Sequence, residues 1–268
     1  MRMPDRCRVI VSSGTFIALL IVQNRNGWTS QMRNRQKFTR HTIFACFLIA
    51  FIPACSGYPT LTPATDAKVT TGLDTAIATS NHIEVKVEFE DWSREPRVMQ
   101  FVTPLKVSIR NTSKETIVLQ YQHLFLQGNG ANRYAALPPY AIDGEITQTV
   151  GAIADHTSIG FLANEFHISP YHQLYYPDLA VHSGPFEYNR TYYDRYYPIW
   201  QKVELPTPAM ARRAIPEGVI RPQGIVSGVV FFEPVDVSED NVEFRFRLVR
   251  SADNSAIGSV SIPFKVSD

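Results

Sequence analysis

Cysteine is scarce in this chain. It has three, Cys7, Cys46 and Cys55, and everything after Cys55 is cysteine-free. That long remainder holds no disulfide and no thiolate metal site. Cysteine proteases, thioredoxin-like redox enzymes and zinc ribbons are therefore excluded from it. An oxidising compartment is tolerated by such a sequence but not exploited. Short catalytic signatures are missing too: there is no Gly-x-Ser-x-Gly elbow, no phosphate-binding loop and no dinucleotide fingerprint. The apolar run Ile43 to Ile52 is only about ten residues long, half of the ~20 that a membrane-spanning helix needs.

An excess of positive charge is also absent where it would matter for nucleic acid. The whole chain has 26 Lys+Arg and 25 Asp+Glu, but 8 basic and 1 acidic residue precede Cys55. The part from Cys55 onward carries 18 basic and 24 acidic residues, a formal −6. Such a balance does not build the phosphate-neutralising surface that nucleic-acid binding relies on.

The segment "RQKFTRHTIFACFLIAFIPACSGYPT", Arg35 to Thr60, shows what is present. Arg33, Arg35, Lys37 and Arg40 form a basic stretch, and Ile43 to Ile52 form an apolar one of secretory-signal length. The string Ile52-Pro53-Ala54-Cys55 then resembles the lipobox of bacterial lipoproteins. The resemblance implies that Cys55 is diacylated and becomes the N-terminus of the processed chain; the alternatives are a plain signal peptide or a buried apolar segment. With Met32 as initiator the signal has ordinary length, 32–54, and residues 1–31 read as an upstream extension from an early start. Within that extension, Thr15 to Val22 is too short to span a bilayer, although it could serve as a second membrane-associating stretch. Ser56 follows Cys55, and in lipoproteins of double-membraned bacteria the absence of Asp there implies the outer membrane, facing the periplasm.

Residues 55–80 are rich in Thr, Ser, Ala, Gly and Pro and read as a flexible tether, with a poorly paired first strand as the alternative. From His82 the pattern has period two. Ile83, Val85, Val87 and Phe89 alternate with Glu84, Lys86, Glu88 and Glu90, as a half-solvated antiparallel strand requires. Leu105, Val107 and Ile109 repeat the device. "VEFRFRLV" places Val242, Phe244, Phe246 and Leu248 on one face, and "SVSIPFKV" returns with Val260, Ile262, Phe264 and Val266. Pro263 falls on the outward parity, which predicts an edge or a bulge. "GIVSGVVFFE" predicts a central strand covered on both faces, or one ending in a bulge at Gly228.

These signals predict an all-β domain over 81–268, an antiparallel β-sandwich. The string "IRPQGIVSGVVFFEP" resembles the terminal strands of immunoglobulin-like bacterial envelope lipoproteins, although the Cys…Trp…Cys hallmark of antibody domains is missing. Fold alone does not assign a function.

One segment breaks the pattern. Eight of the twelve tyrosines lie in 161–210, punctuated by prolines at 170, 177, 185, 198, 206 and 208. This reads as a long insertion with short helices, one over "TYYDRYYPIWQK" and one started by Thr207 and Pro208. Insertions of this length are functional or disordered, and the aromatic load argues against disorder. Tyr192, Tyr193, Tyr196, Tyr197 and Trp200 are the candidate binding residues, since tyrosine joins a large apolar face to a polar tip. The competing reading is that they cover the open face of the sheet.

The chemistry-bearing residues are sparse. His167, His172 and His182, near Glu165 and Asp178, match no metal-hydrolase spacing, and no metal or cofactor is implied. Asp155, His156 and Ser158 are triad residue types with no evidence of triad geometry. The expected function is non-catalytic binding or structure in the cell envelope, with the membrane and an envelope protein or glycan as partners. An envelope enzyme built on the insertion histidines is one alternative. An accessory subunit of an envelope assembly is another.

Overall fold

The computed structural model describes residues 58–65, 67–68, 74–92, 95–140, 161–203 and 205–267. Cys55, the signal segment and the Asp155, His156 and Ser158 group lie outside the described residues.

The period-two runs become strands. β3 (Ile83–Phe89) buries Ile83, Val85 and Val87, and β4 (Thr103–Asn111) buries Leu105, Val107 and Ile109. β2 (Thr75–Ser80) pairs with β3 through a two-residue turn in which Asn81 and His82 have φ of 49° and 62°. Two left-handed residues match the twist of a hairpin. At the C-terminal end, β10 (Asn241–Arg250) and β11 (Ala256–Ser267) form the long hairpin the alternation predicts, with all four inward residues of each strand buried.

β9 (Gly218–Phe232) is the central strand. Its second half pairs with β4, its start with β5 (Ile117–Leu119), and β8 (Leu162–Ile168) lies along its other side. It runs through Gly228 without a bulge. Glycine is needed there because a Cβ would sit 2.7 Å from the carbonyl oxygen of Arg213. β6 (Leu124–Gln127) joins β10 to β7 (Arg133–Ala135), and a 3-10 turn, Tyr121–His123, precedes β6.

Eleven strands among the described residues form one antiparallel sheet, with the path β1-β11-β10-β5-β9-β4-β3-β2. Here β1 is Thr60–Pro63, paired with the end of β11. The sheet curls until its ends approach, and Asn81 Nδ2, in the β2–β3 turn, donates to the carbonyl of Ile257 in β11. The all-β class and the aromatic insertion with short helices stand. The pairing joins every strand in one nearly barrel-shaped sheet, and an immunoglobulin-like division into two sheets does not follow from it.

Two expectations need correction. The tether expected over 55–80 contains β1 and β2, with Leu61 and Ala76 buried. Polar, β-branched threonines pair readily when a sheet edge is already offered. Pro263 is not on a full edge strand, because β11 lies between β10 and β1. Its carbonyl accepts Ala64 N at 3.1 Å. An extended residue points its N–H and C=O to the same side, so the N–H that Pro263 lacks would face the point where β1 ends.

In the insertion, α2 (Arg190–Lys202) and α3 (Pro208–Arg213) form where expected, and Thr207 accepts Met210 N as the cap of α3. β8 and the short α1 (Pro96–Phe101) have no counterpart in the sequence reading. β8 hides its pattern because Glu165, at φ 48°, shifts the register between Asn164 and Phe166.

Candidate functional site: the tyrosine-rich insertion

The insertion begins with β8 and a 3-10 turn, Pro170–His172, capped by Ser169, whose hydroxyl accepts Tyr171 N. α2 follows, capped by Asn189, whose side chain accepts Tyr192 N at 3.0 Å. One side of α2 faces the sheet. Tyr193 and Trp200 are buried, and the Trp200 indole donates to Pro138 O at 2.7 Å while its ring meets Phe231 edge-on. Seven residues separate these two, about two helical turns, so they share a face.

Around Tyr193 lies a buried polar cluster. Its hydroxyl is 3.3 Å from His172 Nε2 and is bonded to the Glu217 carboxylate. Glu217 Oε1 also accepts the backbone N–H of Tyr121 at 2.9 Å, and the Tyr121 hydroxyl donates to Ile215 O at 2.7 Å. Tyr140 and Tyr176 meet hydroxyl to hydroxyl, over the carbonyls of Ala211 and Ala214 at the end of α3. The Tyr140 ring packs against His172, Tyr175 and Tyr176 at 5.0–5.9 Å.

Burial sets the protonation of this cluster. It raises Glu217 to about 7, against the opposing bonds from Tyr121 N and Tyr193. It lowers His172 to about 3, so the imidazole is neutral. It pushes the phenols of Tyr121, Tyr140, Tyr176 and Tyr193 upward, so they stay protonated donors. With Glu217 ionised, His172 Nε2–H donates to Tyr193, and Tyr193 donates to Glu217. The void beside Glu217, lined by Tyr121, Leu124, Ile215 and Val230, is about 10 Å³, the space of a single water. No substrate fits there.

The outer side of α2 differs. Tyr192, Tyr196 and Tyr197 are half-buried. The Tyr192 and Tyr196 rings lie 4.6 Å apart with their planes tilted by 49°, and the Tyr192 hydroxyl donates to Ala136 O at 2.6 Å. Arg195 lies 5.2 Å from the Tyr196 ring, and Tyr171 stacks on Tyr188 at 4.7 Å. The five expected binding residues are thus divided. Tyr193 and Trp200 are core, out of reach of a surface partner, while Tyr192, Tyr196 and Tyr197 keep partly exposed edges. The i, i+4 pairs do not segregate into one buried and one exposed pair: Tyr193 is buried and Tyr197 half-buried, while Tyr192 and Tyr196 are both half-buried.

The insertion histidines do not converge. His172 is buried against Tyr193, His167 lies 3.5 Å from Arg221, and His182 meets Phe186. Glu165 pairs with Arg221 at 3.4 Å, and Asp178 is exposed. Among the described residues no three His, Cys, Asp or Glu side chains form a metal-sized group.

Sequence reasoning missed Glu217, Tyr121 and Tyr140. A lone Glu between Pro216 and Gly218 reads as a turn, and nothing local reveals partners roughly a hundred residues away. No family model, curated protein or solved structure matches this chain.

Proposed function

We propose that this is a lipid-anchored cell-envelope protein, held at the outer membrane through Cys55 and facing the periplasm. It acts without catalysis by presenting its tyrosine-rich insertion to an envelope protein or glycan. The observation that carries the binding part is the half-buried ring pair Tyr192/Tyr196, in contact with each other on a helix whose other side is locked into the core by Tyr193 and Trp200. Rings already ordered by packing lose little entropy on binding, and tyrosine offers both an apolar face and a hydroxyl. The anchor rests on the lipobox-like sequence Ile52-Pro53-Ala54-Cys55.

Two measurements test it. Fatty-acid labelling of the chain should be lost in Cys55→Ser and kept in Cys7→Ser and Cys46→Ser; labelling that survives without Cys55 refutes the anchor. A partner captured from envelope extract by the wild-type chain should be lost by Tyr192→Ala/Tyr196→Ala while the variant remains folded at 25 °C. Undiminished capture by that double variant refutes the insertion as the binding surface.

A further inference from the structure

Strands β7, β6, β10, β11 and β1 lie side by side and share one outward face. Their inward residues, among them Phe244, Phe246, Phe264 and Leu61, are buried in the core. The register places Arg245 opposite Phe125 and Lys265 opposite Thr62, all on the other parity. The Arg133 guanidinium lies 3.9 Å from the Phe125 ring centroid, on the same side. Arg247, two residues beyond Arg245, completes the set. Arg133, Arg247 and Lys265 are exposed.

Four cations on this face meet one outward carboxylate of the same strands, Glu243, which pairs with Arg245 at 2.5 Å. The chain from Cys55 onward carries a formal −6, so this face runs against the charge of the domain as a whole. Thr60, which begins β1, lies on this face opposite Ser267. It is five residues from Cys55, and five residues span at most about 17 Å.

We propose that this face rests on a membrane surface of anionic lipid headgroups, with Arg133, Arg245, Arg247 and Lys265 as the contacting cations. Charge complementarity selects the occupant. The short chain from Cys55 to β1 brings the edge of the face to the bilayer, and this part of the argument rests on the anchor reading above. A longer tether would leave the domain free to tumble; one this short makes a second, electrostatic contact almost intramolecular. Each basic residue near an anionic surface strengthens binding by about fivefold.

The test uses the full chain reconstituted into vesicles of phosphatidylglycerol or of phosphatidylcholine, with arginine- and lysine-directed reagents read by mass spectrometry. Labelling of Arg133, Arg247 and Lys265 should fall at least fivefold in phosphatidylglycerol relative to phosphatidylcholine. The exposed Arg110 of β4 and Lys114, in the turn after it, should label equally in both. Protection should vanish in about 1 M salt, where the screening length is only about 3 Å. Equal labelling of the three residues in both lipids overturns the proposal. So does equal protection by inorganic phosphate without vesicles, which would mark a small-anion site. Protection without acylation at Cys55 would refute the anchor and leave this contact standing; acylation without protection would do the reverse.

Discussion

The carboxylate of Glu217 accepts the backbone N–H of Tyr121 at 2.9 Å inside the core, and the hydroxyl of Tyr193 is its other partner. The pair joins the 3-10 turn before β6 to the start of β9, and Tyr193 adds α2. One buried acid therefore ties the insertion to the sheet, and the acid titrates near neutrality.

Glu217→Gln should flatten the pH dependence of stability. The folded group is raised to about 7 from a reference of 4.5. Below about 4.5 it is protonated in both states and its stabilising contribution is complete. As pH rises toward 7 the unfolded chain ionises first, so folding must take up a proton and stability falls. Over that window the loss is about 3 kcal/mol. Urea unfolding of both proteins from pH 4.5 to 8 should show curves that converge or cross as pH rises, with the glutamine variant gaining relative to wild type. Parallel curves would show that Glu217 does not titrate in this range.

Tyr193→Phe keeps the ring and removes the donor. The bond from Tyr193 favours the ionised form of Glu217, so its loss should push the carboxyl further upward. Stability should then keep falling to a higher pH than in wild type. A hydrogen bond to a charged group is worth about 1.5–3 kcal/mol, and the cost should be concentrated above pH 7. Combining Tyr193→Phe with Glu217→Gln should remove the extended pH dependence, because no carboxylate remains to shift.

Thr207→Ala should destabilise by about 1 kcal/mol, the usual worth of an N-cap side chain. The hydroxyl accepts Met210 N at 3.2 Å and begins a six-residue helix that has little else to nucleate it. A chemical melt of the variant against wild type checks this, and Thr207→Ser should restore most of the loss.

Legibility followed how locally each feature is encoded. The β10–β11 hairpin was readable because a bulky apolar residue stands at every second position on both arms. The two helices of the insertion were readable from Thr207-Pro208 and from a tyrosine-dense run that includes only one proline. β1 was not, since Thr-Leu-Thr-Pro holds one apolar residue and becomes a strand only because β11 offers an edge. β8 was masked by the bulge at Glu165, which puts Phe166 out of step with Leu162. The buried cluster was invisible for a different reason. Tyr121, Tyr140, His172, Tyr193 and Glu217 come from five separate segments, which meet where the insertion packs on the sheet.

The rings of α2 divide covering from contact, and two double variants separate them. In Tyr193→Ala/Tyr197→Ala the first change removes a fully buried ring together with the hydroxyl held by Glu217 and His172. Truncating a buried aromatic costs about 3–5 kcal/mol, and the carboxyl of Glu217 loses a partner as well, so this double should be strongly destabilised. In Tyr192→Ala/Tyr196→Ala the rings removed are half-buried and touch each other, tilted, at 4.6 Å. An aromatic pair of this kind is worth about 0.5–1.5 kcal/mol beyond burial, and the bond from Tyr192 to Ala136 O adds about 1 kcal/mol. The second double should therefore unfold at a modestly lower denaturant concentration, remain folded at 25 °C, and lose capture of an envelope partner. Measuring the unfolding midpoint and the capture of each double gives four readings. If the Tyr192/Tyr196 double is as unstable as the other, those rings are core covering. If it is stable and still captures the partner, the insertion is not the binding surface.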